Sequence, residues 1–349
     1  MFYFFYKFII ILLATINVLL IFKNKKIQTF NNNYNSKNNN CTLMPLKYIM
    51  PTSKCYNIYK DFLKLYIENK EMFYKKGREY YLNQRGEIYN ESNLITFQDK
   101  LNYLLIHESP ENKTNIVDKI PLRNYSINIL GKDICPPILK IYNNVDEINL
   151  DELPDKFLLK CNHGSGMNIF CRNKTKFDLE NAKKTIINWM NINYGLQNFE
   201  YQYLNIEKKI FAEKFLVDEI INYKFYCFNG EPKLVRVKGK FQGSNIYNIY
   251  HINWTLANIE FAFSDYKRDE TNKFKKSINY ELMINYSRLL TSNFCFCRVD
   301  FYEIDERVYL SELTFTPFNM YIKYKSKEME IYLGSLLNIS KIKNRNYQK

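Results

Sequence analysis

The sequence predicts an α+β fold with antiparallel sheets, and three observations carry that prediction. Helix-like and strand-like segments alternate without a regular strand–helix–strand rhythm. Two pairs of strand-like runs read as hairpins: one flanks Asn229-Gly230, the other flanks Asp305-Glu306-Arg307. The chain is 46% hydrophobic with only 10 Gly and 9 Pro, which supports a sizeable core and excludes collagen-like or low-complexity architecture. A length of 349 residues suits about two domains, or one domain of several lobes.

Phe8 to Phe22 (FIIILLATINVLLIF) is an apolar run near the length needed to cross a bilayer, and it reads as an uncleaved single-pass anchor over residues 1–22. Its orientation stays open. Lys23, Lys25 and Lys26 favour a cytosolic C-terminal side, whereas the Asn-x-Ser/Thr sequons at Asn40, Asn90, Asn112, Asn124, Asn173, Asn253, Asn285 and Asn338 favour a luminal one. Residues 23–54 include NNNYNSKNNN and read as a polar tether.

Residues 55–150 form a mainly helical region. Helices are expected over 55–83, over Thr96–Ile106, and over Val117–Leu130 opening near Asp118, with Pro136-Pro137 ending the run. Beyond the acidic connector Asp146–Asp155 comes a strand, Phe157–Cys161. Asp178 caps a helix reaching to Tyr194, with Leu179, Ala182, Ile186, Ile187 and Met190 on one face. Strands follow at Ile210–Leu216, Tyr223–Phe228 and Lys233–Phe241, then a helix at Tyr280–Thr291. The second hairpin, Cys297–Ile304 with Val308–Phe315, and a helix over Ser326–Leu337 close the chain.

The net charge of +14 is dispersed, and the chain is rich in Lys, Asn, Tyr and Ile, as an AT-rich coding sequence would make it. Without a recognisable nucleic-acid module, that charge does not argue for a nucleic-acid partner. Eight Cys are too few for a disulfide scaffold and lack zinc-site spacing. Cys161, Cys171, Cys227, Cys295 and Cys297 sit in apolar strands and read as small buried hydrophobes. Cys41 and Cys55 flank the tether and would be free to pair if that region were exported.

Two constellations carry chemistry. In Arg298-x-Asp300 and Glu312-x-Thr314, alternation puts each pair on one face. A three-residue loop at 305–307 sets Asp300 opposite Glu312. Two facing carboxylates need a cation between them, either a hard divalent ion or Arg298 itself. The second is Lys160-Cys-Asn-His-Gly164-Ser165-Gly166, after an apolar strand. Here a lysine and a glycine loop suit phosphate oxygens, although an ordinary hairpin loop has the same composition. His163 reads as structural sooner than catalytic.

In order, TFQDKLNYLL, VDKIPLRNY, LPDKFLLKCNHGSGMNIF, IFAEKFL, YKFYCFNGEPKLV, CRVDFY and VYLSELTFTP resemble the TupA-like branch of the ATP-grasp superfamily across about residues 95–337. The resemblance implies an ATP-grasp core over 151–340, with two α+β lobes enclosing a nucleotide cleft and a hinge near 213–218. It implies ATP and Mg²⁺ as cofactors. Lys119 and Lys160 would reach the phosphates, and Gly164, Ser165 and Gly166 would close over them. Glu213, Lys214, Phe215 and Leu216 would hold adenine, and Lys224 would face the cleft. Asp300 and Glu312 would bind the metal with Thr314 as a further oxygen, and Arg298 would stabilise the reacting species. The implied activity is an amide-forming carboxylate–amine ligase acting on a glycan or glycopeptide precursor near a membrane. The sequence departs from the family pattern at Thr314, at Asn222 (where Asp218 or Glu219 would take over an acidic ribose contact) and at the bulky Phe318-Asn319-Met320. A metal-dependent glycosyltransferase and a catalytically degenerate membrane-tethered scaffold are the alternatives.

Overall fold

A computed structural model describes residues 64–83, 85–262, 266–321, 323–340 and 342. The chain divides into two units, Met1–Asp61 and Phe62–Lys349, and every described residue lies in the second. The expected anchor and tether, with Cys41 and Cys55, lie outside the described residues. Among the described residues, no helix is long and apolar enough to cross a membrane.

The helical region opens with α1 (Lys70–Asn83) and α2 (Phe97–His107). Of the helix expected over 55–83, α1 and a short helical stretch at 64–68 fall within the described residues. Thr96 caps α2 through a capping box with Asp99, satisfying two backbone donors at once. The single helix expected over Val117–Leu130 is in fact two, α3 (Glu111–Val117) and α4 (Leu122–Leu130). Asp118 turns extended at the end of α3, and Pro121, which has no N–H to give, opens α4. Lys119 therefore stands in a sharp break between helices and not on a helix wall.

A four-stranded antiparallel sheet has the order β1-β4-β2-β3, with β1 Ile138–Tyr142, β2 Phe157–Cys161, β3 Asn168–Cys171 and β4 Ile210–Lys214. It reaches back across the expected boundary at residue 150, because β1 pairs with β4. Phe157, Leu159 and Cys161 of β2 pack with Tyr142, Ile210, Ala212 and Ile186 into one core. Alternation then turns Leu158 and Lys160 to the opposite face. Ile186 comes from α5 (Leu179–Met190), which Asp178 caps as expected. The helix stops at Met190, and a separate short α6 (Tyr194–Asn198) follows, begun by an Asn193 cap that the apolar pattern hides. Ile187, expected on the buried face, is exposed.

The chain crosses at 215–221 to a six-stranded sheet ordered β10-β9-β5-β6-β7-β8. Its members are β5 Asn222–Phe228, β6 Glu231–Phe241, β7 Ser244–His251, β8 Lys267–Arg268, β9 Phe296–Ile304 and β10 Arg307–Thr314. All pairs are antiparallel except β7 with β8. Asn229 and Gly230 both take left-handed backbone, as a two-residue hairpin turn requires. Helix α7 (Tyr280–Thr291) supplies Met283 and Leu290 to a second core with Phe225, Cys227, Val235, Val237, Cys297, Val299 and Phe301. The opposite face of these strands carries Lys224, Arg236, Lys238, Arg298 and Asp300. The last helix, α8 (Lys327–Leu336), is capped by Ser326. Cys135, Cys161, Cys171, Cys227, Cys295 and Cys297 are all buried.

Candidate active site

The last hairpin fixes the site's register. Its turn is not the expected three-residue loop. Asp305 and Glu306 alone make it, both left-handed at φ 49° and 59°, and Arg307 already pairs with Ile304. That pairing would put Ser311 opposite Asp300, but a bulge between Leu310 and Glu312 absorbs one residue and restores Glu312 to that place. The expected juxtaposition holds, through a different turn.

Between these carboxylates lies Arg298. Its Nε and Nη2 donate to Asp300 at 2.6 and 2.7 Å, and Nη2 also donates to Glu312 Oε1 at 2.7 Å and to Thr314 Oγ1 at 3.3 Å. Lys224, directly across β5 from Asp300, donates to the same carboxylate. Asp300 and Arg298 are buried; Glu312 is the more open group. Burial pushes the Glu312 carboxyl up, but Lys224 and Arg298 outweigh it and hold it well below the usual carboxylate range. Burial lowers the Lys224 ammonium, with Arg298 adding to the effect.

The small sheet and the helical region supply the other wall. Lys160 pairs with Glu213, two residues along β4 from its direct neighbour Phe211. Lys119 reaches from the α3–α4 break to donate to the Gly164 carbonyl at 2.5 Å. Burial lowers the Lys119 ammonium against the opposing charge of Glu312, and Lys160 lowers it further. In the loop, Gly164 is buried while Ser165 and Gly166 are exposed. A Cβ on Gly164 would lie 2.8 Å from both Met167 and Tyr194, and Gly166 has φ +75°, so two of the three positions call for glycine on separate grounds. His163 donates to the Trp189 carbonyl at 3.0 Å, and burial brings its pKa down to about 4, so it is a neutral structural group.

The residues expected at adenine divide. Glu213 faces Lys160, whereas the backbone N–H of Lys214 is committed to the Pro137 carbonyl, and its side chain is exposed. Phe215 is buried and Leu216 half-buried where the chain leaves β4. Of the stand-ins for a ribose contact, Asp218 bonds Arg172 at 2.7 Å on the surface and Glu219 lies 3.7 Å from Lys240.

Several residues of the site escaped the sequence reading. Phe170, on β3 opposite Leu158, exposes a large ring edge-on to Phe215, an apolar wall suited to a flat base. Only the alternation in Asn168-Ile169-Phe170-Cys171 hints at it. Buried Asn162 donates to Asp118 Oδ2 and to the Glu207 carbonyl, both at 2.9 Å, and accepts from Lys209 N–H at 2.7 Å. It thereby ties the Lys119 segment to the end of β2. Glu200 is buried and bonded by the Thr316 hydroxyl and by Tyr194, whose own hydroxyl also meets the Ser165 backbone. Arg78, wholly buried, donates to the Asn319 side chain and carbonyl at 3.2 and 2.8 Å.

Glu200 yields a pH prediction. Burial raises its pKa from 4.5 to about 7. Between those values the unfolded chain sheds the proton and the folded chain keeps it, so stability falls as pH rises through that window. The loss is on the order of 3 kcal/mol at about 1.4 kcal/mol per pH unit. Glu200→Gln, which mimics the protonated acid, should remove this slope. Urea unfolding of both forms at pH 5 and pH 8 checks it, and parallel pH profiles would refute it.

The chemistry of the donor set fits a divalent ion. Asp300 and Glu312 are hard oxygen donors from adjacent strands with the Thr314 hydroxyl beside them, and because Arg298 and Lys224 already donate to both Asp300 oxygens and Arg298 to Glu312 Oε1, an ion here would share the pair with these cations. Among the described residues no three His, Cys, Asp or Glu side chains gather as a metal cage. Two carboxylates suit an ion that also binds substrate phosphates, as Mg²⁺ commonly does.

Two sheets with lysines and a glycine loop on one side, and paired carboxylates with arginine on the other, define a nucleotide-cleft protein of the ATP-grasp class. The sequence model of the TupA-like ATPgrasp family matches residues 99–338, more than half of the chain, and the chain belongs to that family. None of the curated proteins matches it. Among solved structures it is similar to D-alanine–D-alanine ligase from Helicobacter pylori (16% identity, 64% of this chain and 61% of that one, TM-score 0.33). It is also similar to L-amino acid ligase from Bacillus licheniformis (10%, 58% and 41%, 0.34). A third is N5-carboxyaminoimidazole synthetase from Staphylococcus aureus with ADP (11%, 58% and 46%, 0.35). The chain spans about three fifths or less of the length of these proteins.

Proposed function

We propose that the protein is an ATP- and Mg²⁺-dependent ligase that joins a carboxylate to an amine through an acyl phosphate. The observation that carries this reading is the convergence of Lys119, Lys160 and the Gly164–Gly166 loop with the Asp300–Glu312 pair and Arg298. Lys119 and Lys160 neutralise the ATP phosphates, the exposed Ser165-Gly166 backbone covers them, and Phe170, Phe215, Leu216 and Glu213 receive the base. A divalent ion on Asp300 and Glu312, with Thr314 beside them, would add positive charge to the phosphates. Arg298 and Lys224 orient the substrate carboxylate and the charge that develops as one of its oxygens attacks the γ-phosphorus and ADP leaves. An amine then attacks the carbonyl carbon of the acyl phosphate, inorganic phosphate departs, and the amine nitrogen loses a proton to give the amide. No protein nucleophile takes part. The acceptor we favour is a glycan or glycopeptide precursor at a membrane, reached through the anchor at residues 1–22, on a side left open.

Hydroxylamine trapping tests the reaction. Full-length protein with Mg·ATP, hydroxylamine and a panel of D-alanine, L-glutamate and D-glucuronate should release ADP and form a hydroxamate with at least one of them. Turnover of UDP-sugars without ADP release would move the reading to sugar-nucleotide transfer. Inertness toward both would favour a non-catalytic scaffold.

A further inference from the structure

The row of side chains that holds the carboxylates continues past them. Pairing places Glu312, Asp300, Lys224 and Arg236 side by side across β10, β9, β5 and β6. Lys238, two residues further along β6, shares their face and lies opposite Asn222 and Tyr247. Arg298 and Lys224 are engaged with Asp300 and Glu312, and Arg236 and Lys238 extend the positive charge beyond them. Burial, with the like charges of Lys224 and Arg236 adding to it, brings the Lys238 pKa down to about 8.

The surroundings of these two cations are aromatic. The Arg236 guanidinium lies 4.9 Å from the Tyr247 ring, 4.7 Å from Phe261 and 5.4 Å from Phe318. The Lys238 ammonium lies 4.5 Å from the Tyr266 ring. Tyr247 and Phe261 are buried, but Phe318 is 46% exposed. Its backbone is left-handed (φ 53°), as are those of Asn319 (51°) and Met320 (54°). Such a conformation is unfavourable at each non-glycine residue. Arg78 clamps Asn319 in it, and Met320 is buried. The strained turn therefore presents a half-exposed aromatic ring over Phe261 and Arg236. That gives a reason for the three bulky residues in a turn whose φ values would suit glycine.

We propose that Lys238 and Arg236, with Tyr266 against the lysine and Phe318 against the arginine, form a second acceptor subsite. It takes an anionic group, carboxylate or phosphate, about 12 Å from the Asp300 row where the reacting carboxylate sits, Lys238 being two strand spacings across and two residues along from Asp300. The segment joining the two anions presents a flat apolar face to Phe318. This deepens the ligase reading above and rests on it: the acceptor carries at least two anionic groups.

Calorimetric titration of the full chain in detergent, loaded with Mg·ADP, tests the subsite with three rigid probes. Biphenyl-4,4′-dicarboxylate and 4′-phosphonobiphenyl-4-carboxylate carry two anions at about the required span, and biphenyl-4-carboxylate carries one. Either or both dianions should bind about tenfold more tightly than the monoanion, as one partly desolvated charge pair would give; the preferred dianion tells carboxylate from phosphate. Lys238→Met should abolish the preference while leaving Mg·ADP binding within about twofold of wild type, and Lys238→Arg should retain it. Phe318→Ala should weaken all three probes alike. Dianions no tighter than the monoanion in wild type, or a preference that survives Lys238→Met, would overturn the subsite. Failure of wild type to bind Mg·ADP at all would instead count against the ATP-grasp reading.

Discussion

Arg298→Met should destabilise the folded protein by about 3–5 kcal/mol, because it strands carboxylates whose cationic partner is buried with them. Asp300 would keep Lys224, but Glu312 would lose its cationic donor and keep the neutral Thr314 hydroxyl, and the two acids would still face each other across β9 and β10. The arginine also closes the geometry: one guanidinium reaches Asp300, Glu312 and Thr314 together, which a lysine ammonium on a flexible stem cannot reproduce. Arg298→Lys should therefore recover part of the loss and not all of it. Acidification works in the opposite sense to its usual effect. Protonating the stranded acids removes their repulsion, so the deficit of Arg298→Met should shrink as pH falls toward 4. Urea midpoints at pH 7 and pH 4 measure both effects. A deficit under about 1 kcal/mol at pH 7 would show that Lys224 and solvent suffice to hold the pair.

Lys160→Met should lower ATP-dependent turnover by about 10²-fold or more, the effect of removing one prearranged charge from a developing phosphoryl anion. The lysine stands at the end of β2 against Glu213, both side chains largely buried. The substitution thus leaves Glu213 without that partner and turns a neutral ion pair into a lone carboxylate beside the phosphate site. Glu213→Gln in the same background restores neutrality there, and the double variant should fold normally and remain inactive. Lys119→Met should behave similarly, with a larger loss of ATP affinity, because Lys119 also anchors the Gly164 carbonyl. The hydroxamate assay reads all three. Wild-type rates in Lys160→Met would remove it from the phosphate site.

Much of this architecture was legible because it rests on short-range patterns. Asn229-Gly230 announced its hairpin, Thr96 and Asp178 announced their helices, and alternation put Arg298 with Asp300. The opposition of Asp300 and Glu312 was read correctly through the wrong turn. A left-handed pair at Asp305-Glu306 shortened the loop, and the bulge at Ser311 returned the missing residue, and neither has a strong local signature. The break at Lys119 was readable from Pro121, but the apolar periodicity on both sides concealed it. β3 and β7 were not legible. β3 is a short edge strand with an exposed aromatic. β7 carries Asn248 at a buried position, where its amide donates to the distant Asp269 carbonyl and to Asn272. Asn162 and Arg78 take their hydrogen-bond partners from far away in sequence, and Glu200 joins nearby Tyr194 to the distant Thr316, so no local pattern could have marked them.

In the proposed ligase, Asp300 and Glu312 form the metal side of the ATP site. The most direct measurement is thermal unfolding of wild type and of Asp300→Asn/Glu312→Gln, each with Mg·ATP, with Mg·UDP-sugars and with neither. At ligand concentrations of 100 times Kd, binding should add about 2.7 kcal/mol to the wild type, hence a rise of several degrees in Tm. The account predicts that rise with Mg·ATP, its dependence on magnesium, and its loss in the double variant. A folded wild type whose Tm ignores Mg·ATP, or responds equally in the double variant, would contradict it.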